Sequence, residues 1–345
     1  MTSGPDSTRR LITCMGEILV DFLPIEEGGR TVGFRLHPGG SLLNVAVGAA
    51  RLGAPSALVT KTGTDFFGRL LRAHVEGEGI DTRWLSQTAA PSALGFVAFE
   101  DGEPDFTFYG DDTADTRLTL EDLADELIAE TAILHVGSIS LLRGSTPATV
   151  RAACKRLRGH ALLSLDPNVR PGMVTDETAY RATLAAFVGL VDVVKVSAAD
   201  LAWLEPGRDL AEVAVELVER GPALVAVTRG GAGVLAARRT AGGIVTSAVA
   251  GFDVTVADTI GAGDSFDGGL LTRLLELGVT SRPALERLSD GDLAEALRFA
   301  AAVAALNCTR PGADPPRRAE VDAYLADAAK TARTADAADT AGRRR

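Results

Sequence analysis

Short runs of valine, leucine and isoleucine alternate with longer amphipathic segments along most of this 345-residue chain. The short runs predict buried strands: Ala57–Thr60, Ala132–Val136, Leu162–Leu165, Val191–Val196 and Leu224–Thr228. The longer segments predict helices: Leu42–Leu52, Phe66–Glu78, Thr146–Leu157, Thr178–Leu190 and Leu210–Arg220. Because this alternation is typical of βαβ units with right-handed crossovers, we expect an α/β fold with a mostly parallel sheet and helices on both faces.

Two segments and the C-terminus depart from this pattern. Arg30–Leu36 and Ser92–Tyr109 alternate polar and apolar residues, and the second contains Asp101-Gly102, a typical hairpin turn. They predict antiparallel strands outside the main sheet. From about Lys330 the chain is rich in Ala, Thr, Asp and Arg and ends in Arg343-Arg-Arg345, which predicts a frayed helix or a disordered tail.

Composition limits the possible partners. The net charge of −11 disfavours nucleic acid or an anionic membrane as the main partner. Cys14, Cys154 and Cys308 have no metal-binding or redox spacing and suit a reducing compartment. No segment reaches the ~18 uncharged apolar residues of a membrane helix, since Glu17 and Asp21 interrupt the apolar run near the N-terminus. We therefore expect a cytoplasmic protein with neither nucleic acid nor membrane as a partner.

The segment Asp258–Leu271 is the most informative for function, because it places a glycine-rich turn and a carboxylate at the start of an apolar helix. Gly261, Ala262 and Gly263 can bring backbone N–H groups close to a ligand, and the helix adds the positive end of its dipole. A phosphate fits such a site, with Asp264 in reach of an attacking hydroxyl. The alternative is a tight turn in which Asp264 is an N-cap.

Two further groups of glycines indicate close approaches. Gly268 and Gly269 lie inside the helix, where each costs about 1 kcal/mol relative to alanine, so a neighbouring backbone or ligand is expected there. Thr228-Arg-Gly-Gly-Ala-Gly233 follows a predicted strand. It is neither a Walker loop nor a Rossmann fingerprint, and alone it is a common way to end a strand.

Two separated signatures resemble the PfkB (ribokinase-like) family of carbohydrate kinases. Pro38–Gly53 resembles the first signature, Lys61–Leu71 the segment after it, and Asp258–Leu271 the second. The resemblance runs from about Ile12 to about Asp314 and implies a ribokinase-like three-layer α/β/α sandwich with a small β lid over the sugar. It implies a core of residues 11–25, 38–91 and 111–328, a lid of 26–37 and 92–110, and a tail of 329–345.

The resemblance also implies a set of sugar-binding residues. Gly16–Pro24 looks like the opening of fructokinase-type members, in which the aspartate accepts hydrogen bonds from sugar hydroxyls. The implied sugar-binding residues are Asp21, Gly39, Gly40, Asn44, Tyr109 and Arg170, the last in the matching segment Asp166–Arg170. On local grounds alone, Gly39-Gly40 is equally a plain turn and Arg170 a surface loop residue. Gly110 departs from the pattern, since fructokinase and ketodeoxygluconate kinase relatives usually carry an arginine after the tyrosine.

Nucleotide and metal positions follow from the same resemblance. Residues implied to bind ATP are Lys195, Ser197, Thr228, Gly230, Gly231, Gly233 and, near adenine, Asn307. Asp200 stands where the family usually has a glutamate that organises Mg²⁺ through water. Backbone carbonyls around Asp258, Ile260 and Gly312 are the implied site of a monovalent cation such as K⁺.

The implied activity is transfer of the γ-phosphoryl group of ATP to a primary hydroxyl of a small sugar. Asp264 would be the base, and the amides of residues 261–263 would form the anion hole. D-Fructose is the expected sugar and 2-keto-3-deoxygluconate the alternative within the family. An alternative of another class is a kinase-like binding or regulatory protein that has lost catalysis. An apolar face left on the lid would predict a homodimer through the two lids.

Overall fold

Nine strands form the larger of two sheets in the computed structural model. The structure describes residues 10–100 and 103–342. It describes the side chains of these residues except at 97–106 and 331–342. In chain order the strands are β1 (Leu11–Met15), β2 (Leu19–Glu27), β3 (Arg30–Gly39), β4 (Ser56–Gly63), β5 (Leu85–Thr88), β6 (Ala93–Glu100), β7 (Glu103–Tyr109), β8 (Thr131–Gly137), β9 (Leu162–Asp166), β10 (Val193–Ser197), β11 (Leu224–Thr228), β12 (Val234–Thr240) and β13 (Gly243–Val249). The large sheet has the order β13-β12-β11-β10-β9-β8-β1-β4-β5 and is parallel except at its β12-β13 edge.

The five strands predicted from apolar runs are all present in this sheet. The largest differences are that β4 extends three residues past Thr60, to Gly63, and that β10 begins at Val193 and not at Val191. Asp192 lies between the two and caps the neighbouring strand instead, since its carboxylate accepts the backbone N–H of Leu163 at 3.0 Å. A hydrophobicity pattern alone does not register such a polar interruption.

Helices cover both faces of the large sheet. In chain order they are α1 (Ser41–Arg51), α2 (Phe66–Gly77), α3 (Asp125–Glu130), α4 (Thr146–Leu157), α5 (Glu177–Val188), α6 (Ala198–Leu204), α7 (Leu210–Arg220), α8 (Ala262–Glu276), α9 (Arg282–Glu286), α10 (Asp290–Cys308) and α11 (Arg318–Gly342). Helices α1, α2, α8 and α10 bury one apolar cluster, and α4, α5 and α7 bury a second. The predicted three-layer α/β/α sandwich is confirmed, and the five predicted helices end within two residues of their expected limits.

Strands β3, β2, β6 and β7 form a separate four-stranded sheet, here called the lid. The antiparallel pairs β2-β3 and β6-β7 match the expected lid segments, while the turn at Asp101-Gly102 lies outside the described residues. The boundary at residues 19–25, assigned to the core, is wrong: Leu19 of β2 pairs with Gly39 and Ala93 inside the lid. The sequence pattern does not reveal β2, because consecutive apolar residues in it interrupt the alternation of polar and apolar residues.

The C-terminal segment is helical for longer than expected. Helix α11 includes residues 329–342, predicted as a frayed helix or disordered tail, while Arg343–Arg345 lie outside the described residues. Within the part of the chain that the structure describes, every helix is too short or too polar to cross a membrane.

Two glycines allow α8 to approach its neighbouring helices closely. A Cβ atom added at Gly268 would lie 3.2 Å from the backbone nitrogen of Ala49 in α1. One added at Gly269 would lie 3.0 Å from the Cα atom of Ala300 in α10. The predicted close approach is therefore made by two helix backbones, and a side chain at either position would force α8 away from a neighbour.

Gly269→Val is expected to lower the free energy of unfolding by about 1–3 kcal/mol, because the added methyl groups meet the α10 backbone. Denaturant unfolding followed by circular dichroism measures the change. The matched control is Gly77→Val in α2, where an added Cβ meets no atom within 4 Å. The control should stay within about 0.5 kcal/mol of wild type, and equal stabilities of the two variants would contradict the packing argument.

Candidate active site

A cavity of about 390 Å³ opens between the lid and the carboxyl ends of the central strands. This edge of an open α/β sheet is where ligands bind. The lining includes Glu17, Asp21, Gly40, Ser41, Asn44, Phe108, Asn168, Arg170, Lys195, Ser197, Asp200, Gly261, Gly263 and Asp264. Lid, strand ends and the first turns of α1 and α8 thus contribute to one site.

The carboxylate of Asp264 is fixed by three side-chain donors. Ser41 Oγ donates to its Oδ1 atom at 2.7 Å and Asn44 Nδ2 to its Oδ2 atom at 2.8 Å. Asn168 Nδ2 donates to Oδ1 at 3.3 Å. A carboxylate accepts about four hydrogen bonds, so one further donor, such as a ligand hydroxyl, can bind. The alternative role of Asp264 as an N-cap is wrong, because Gly261 is the N-cap of α8.

The first turn of α8, where an anion site is predicted, brings two of the three predicted residues to the cavity. Gly261 has a left-handed φ of 73°, and an added Cβ would lie 2.6 Å from Ala313 Cβ, so only glycine fits. Gly261 and Gly263 line the cavity. Ala262 does not, and its N–H donates to the carbonyl oxygen of Thr259 at 3.2 Å. The cradle therefore consists of the two glycines and the positive end of a 15-residue helix.

A buried cation lies directly behind this cradle. Lys195 Nζ is 2.5 Å from Asp166 Oδ2 and 3.2 Å from Asp267 Oδ2, and the three side chains are nearly inaccessible. Burial alone would lower the pKa of Lys195, but the adjacent Asp166 and Asp267 raise it, so the amine stays an ammonium. A Cβ added at Gly263 would lie 2.9 Å from this Nζ atom. Lys195 therefore holds an ammonium, paired with two carboxylates, behind the two glycines and joins β9, β10 and α8.

The lid contributes one carboxylate to the cavity, that of Asp21. Two glycines make room for it: a Cβ at Gly39 would overlap Asp21 Oδ2, and one at Gly95 would lie 2.7 Å from Oδ1. Among the described residues no donor bonds to this carboxylate. Burial raises its pKa from the ordinary 3.8 to about 7, against the lowering effect of Arg170. Gly95 was not identified from the sequence, since only the strand pairing reveals the contact.

Glu17 and Asn168 complete the site and were not predicted from the sequence. Glu17 is buried, accepts the N–H of Ser41 at 3.0 Å and is bonded to Ser140, so it fixes the start of α1. Burial raises the pKa of Glu17 to about 7, although Ser140 lowers it. Asn168 has a left-handed φ of 38°, and its amide bridges Ser41 and Asp264. Its place in the Asp166–Arg170 segment was the signal that could have identified it.

Comparison with known proteins identifies the family. The profile of the pfkB family carbohydrate kinases matches residues 9–319. Fructokinase-1 of Zea mays is 37% identical over 323 residues, which cover 91% of this chain and 97% of that protein. A fructokinase of Rhizobium leguminosarum bv. trifolii is 35% identical over 264 residues, covering 76% and 79%. The chain belongs to the PfkB family.

Solved structures agree with this assignment. A crystal structure of fructokinase from Xylella fastidiosa with bound ATP has a TM-score of 0.85 at 30% identity and covers 92% of this chain and 99% of its own. A fructokinase from Vibrio cholerae O395 in its fructose, ADP and calcium ion bound form has a TM-score of 0.79 at 31% identity, covering 93% and 100%. The ribokinase-like fold and the carbohydrate kinase assignment expected from the two signatures are confirmed.

Two of the residues predicted to contact ligands, Tyr109 and Asn307, do not face the cavity. Tyr109 is 63% exposed and contacts Phe96 on the outer face of the lid, while Phe108 faces the cavity. Strand alternation gives the two neighbours opposite faces, so the predicted sugar contact of Tyr109 is wrong in this structure. Asn307 is fully buried and donates to the carbonyl of Ile260 at 2.8 Å. It supports the 258–261 turn from behind and presents no accessible edge to adenine.

The remaining residues predicted to bind nucleotide and metal lie at or just after the ends of β10 and β11. Ser197 lines the cavity and pairs with Thr228 at the ends of β10 and β11, and the turn with Gly230, Gly231 and Gly233 follows. Arg170 also lines the cavity and donates to Asn168 Oδ1 at 2.5 Å. The Asp200 carboxylate accepts from Val169 N at 2.9 Å and from Ser197 N at 3.0 Å, so it joins the sugar-binding and nucleotide-binding segments.

The loops of the predicted monovalent cation site are held together by Asp258. Its carboxylate accepts the N–H of Ile260 at 3.0 Å and the N–H of Gly312 at 2.8 Å. The carbonyl oxygen of Ile260 already accepts from Asn307 Nδ2 at 2.8 Å and that of Gly312 from Asp314 N at 3.0 Å, so each keeps one lone pair for a cation. Across residues 10–100 and 103–342, no group of three or more His, Cys, Asp or Glu side chains is arranged to bind a metal ion.

Asp21→Asn is expected to stabilise the free protein at about pH 8 and to lose that advantage as the pH falls. The folded-state pKa lies above the ordinary value, so the ionised carboxylate destabilises the fold above that pKa. This destabilisation shrinks as the pH falls from about 7 towards the ordinary pKa of 3.8, because the folded protein then takes up a proton. Thermal unfolding across the pH range measures the difference. Asp253→Asn, at an exposed position, is the control, and a pH-independent difference for Asp21→Asn would refute the argument.

Proposed function

We propose that this PfkB kinase transfers the γ-phosphoryl group of ATP to a primary hydroxyl of D-fructose, giving fructose 6-phosphate. The observation that carries the proposal is the fixed carboxylate of Asp264 beside the N-terminus of α8, in one cavity with Asp21, Asn44 and Arg170. The relatives support the substrates: the Vibrio cholerae protein contains fructose and ADP, and the Xylella fastidiosa protein contains ATP.

Asp264 acts as the base for the attacking hydroxyl. Its three donors, Ser41, Asn44 and Asn168, hold both oxygens in place and leave room for the sugar O–H. In a loose phosphoryl-transfer transition state, positioning and charge stabilisation supply most of the acceleration. The function of Asp264 is therefore to orient the hydroxyl in line with the phosphate and to accept its proton.

The phosphoryl group binds at the cradle of Gly261 and Gly263. Their backbone N–H groups and the helix dipole stabilise charge on its oxygens, and the ammonium of Lys195 lies just behind. The charge developing on the transferred group is thus met by a preorganised positive site.

The nucleotide extends from the cradle towards Ser197, Thr228 and the glycine turn at 230–233. Mg²⁺ would supply the positive charge that neutralises the phosphates. Because both Asp200 oxygens already accept backbone N–H groups, Asp200 fits a role through water better than direct coordination. The carbonyls near Asp258, Ile260 and Gly312 fit a K⁺ ion beside the cradle.

The sugar lies between the lid and the core. Asp21 accepts hydrogen bonds from its hydroxyls, and Asn44 and Arg170 donate to it from the core side. The end of the cavity between Asp21 and Asp264 therefore binds a molecule with several hydroxyls, and Asp264 contacts the hydroxyl nearest the cradle. Gly39 and Gly40 let the lid strand β3 enter α1 without obstructing this end.

Asp264→Ala is expected to lower kcat about 10²–10⁴-fold because proton acceptance and positioning are lost together. ATP affinity should remain within about threefold, since the nucleotide sites do not include this side chain. A coupled ADP-release assay and ATP titration calorimetry measure the two effects. Asp264→Asn, which keeps the shape but places an NH2 group against one of the present donors, should be nearly as inactive. Turnover close to wild type in both variants would reject Asp264 as the base.

A substrate panel separates the proposed reaction from its alternatives. Fructose, 2-keto-3-deoxygluconate, ribose, tagatose and a nucleoside are each supplied with Mg-ATP to the wild-type protein. We expect the highest kcat/KM with fructose. Preference for ketodeoxygluconate would move the assignment within the family, and failure of every sugar with ATP still bound would favour a silent binding protein.

We further propose a cytoplasmic homodimer formed through the outer face of the lid. This face carries the exposed side chains of Val32, Phe34, Leu36 and Tyr109. Behind them Phe22 and Phe96 stack at 4.5 Å and Phe34 contacts Phe96 at 5.4 Å, so the patch is rigid and aromatic. A contiguous apolar face of this kind is typical of a surface covered by a partner, and a second copy of the chain covers both faces at once.

Phe34→Glu is expected to convert the dimer into a monomer, because it places a charge in the centre of the apolar lid face. Sedimentation velocity at micromolar concentration distinguishes the two states. Leu120→Glu replaces an exposed apolar residue outside the lid and should leave the dimer intact. A monomeric wild-type protein at this concentration would disprove the dimer.

A further inference from the structure

Gly110 leaves an unfilled space where the chain returns from the lid to the core. An added Cβ at this position would have one neighbouring group within 4 Å, the Nη1 atom of Arg143 at 3.7 Å. Gly110 does not have a positive φ, so its conformation is open to any residue. This is also the position where the resembled fructokinase-type relatives usually carry arginine. The guanidinium of Arg143 thus lies beside position 110, where this chain lacks the arginine of those relatives.

Arg143 belongs to a segment that borders the sugar end of the cavity. It follows the 3₁₀ turn Ser138–Leu141, in which Ser138 and Ile139 line the cavity. On the opposite side Phe108, two residues before Gly110, lines it as well. Two consecutive peptide units span at most about 7 Å, so Gly110 lies within that distance of a lining residue. Arg143 lies beside Gly110, and both are next to the residues that line the cavity, not among them.

The backbone that carries Arg143 is fixed. Gly144 has a φ of 69°, and an added Cβ there would overlap the carbonyl oxygen of Thr116. The N–H of Ser145 donates to that same carbonyl at 3.0 Å. The Arg143 side chain therefore extends from a rigid base, which is what a residue needs to select among ligands.

The present partner of Arg143 is a weak competitor for its guanidinium. Nη1 lies 2.8 Å from Asp111 Oδ1, but the Asp111 side chain is 93% exposed while that of Arg143 is 28% exposed. Ion pairs this open to water contribute little, so the guanidinium can exchange Asp111 for a ligand at small cost. The charge of Arg143 already acts on a buried group: burial raises the pKa of Asp115, and Arg143 partly lowers it.

We propose that Arg143 is a specificity-determining residue of the sugar site, with its guanidinium donating hydrogen bonds to sugar hydroxyls remote from the transferred one. The inference rests on the proposed fructokinase activity. It explains how a chain with Gly110 keeps a cation at the rim: the guanidinium comes from the segment after β8 instead of from the end of β7. Planar guanidinium groups suit adjacent hydroxyl oxygens because they present several donors in a fixed fork.

The test moves the guanidinium back to the lid. Arg143→Ala should raise KM for fructose about tenfold or more, with kcat and KM for ATP within about twofold, because a ligand contact far from the cradle is lost. The double variant Arg143→Ala with Gly110→Arg should recover most of that KM, since the space beside residue 110 is then free. Arg143→Lys, which keeps charge but not the planar fork, should recover only part.

The matched control is Arg117→Ala, which removes the other exposed ion pair of this loop, Arg117 with Asp112 at 2.6 Å. Its kinetics should equal those of wild type. Fructose turnover by wild type with an unchanged KM in Arg143→Ala would overturn the role of Arg143 and leave the kinase activity standing. Absence of fructose turnover by the wild type would overturn both. A raised KM without recovery in the double variant would show a structural effect and reject the proposal.

Discussion

The contact between α1 and α8 is the interaction on which the rest of the site depends. Gly48 and Gly268 face each other there, and a Cβ on Gly48 would lie 3.7 Å from Gly268 Cα. This short separation brings the first turn of α1, with Ser41 and Asn44, against Asp264 at the start of α8. Two helix N-termini therefore meet at one cavity, and the residues that orient Asp264 come from α1 and, for Asn168, from the segment after β9.

Local pattern predicted the elements of this fold but only part of its site. The apolar runs predicted the positions of strands β8 and β11 closely, because a strand that is buried on both faces consists almost entirely of apolar residues. Asp264 was found because its function is local, at the end of a glycine turn. Glu17 was missed because its partner Ser140 is 123 residues away. Tyr109 was misassigned because a shift of one residue along a strand exchanges the faces of a sheet.

The cavity concentrates acidic groups that an isolated apolar core would not tolerate. Asp166 and Asp267 remain buried because Lys195 lies between them, and removal of one partner would leave an uncompensated charge. The same ammonium supports the cradle from behind. The ion cluster thus links stability to the proposed phosphate site: it fixes β9, β10 and α8 relative to one another and holds an ammonium behind the glycines of the cradle.

Asp21 and Asp264 show how two carboxylates in one cavity serve different ends. Asp264 receives three hydrogen bonds from the protein, so it is oriented before any ligand arrives. Asp21 lies half-buried against two glycines without a donor among the described residues, and burial raises its pKa to about 7. In the proposed function, a polyol that donates to Asp21 would remove that penalty, whereas an analogue without the hydroxyl would leave it in place. Discrimination by an acceptor left unpaired exceeds what shape alone provides, so we expect the lid to contribute to the choice of sugar.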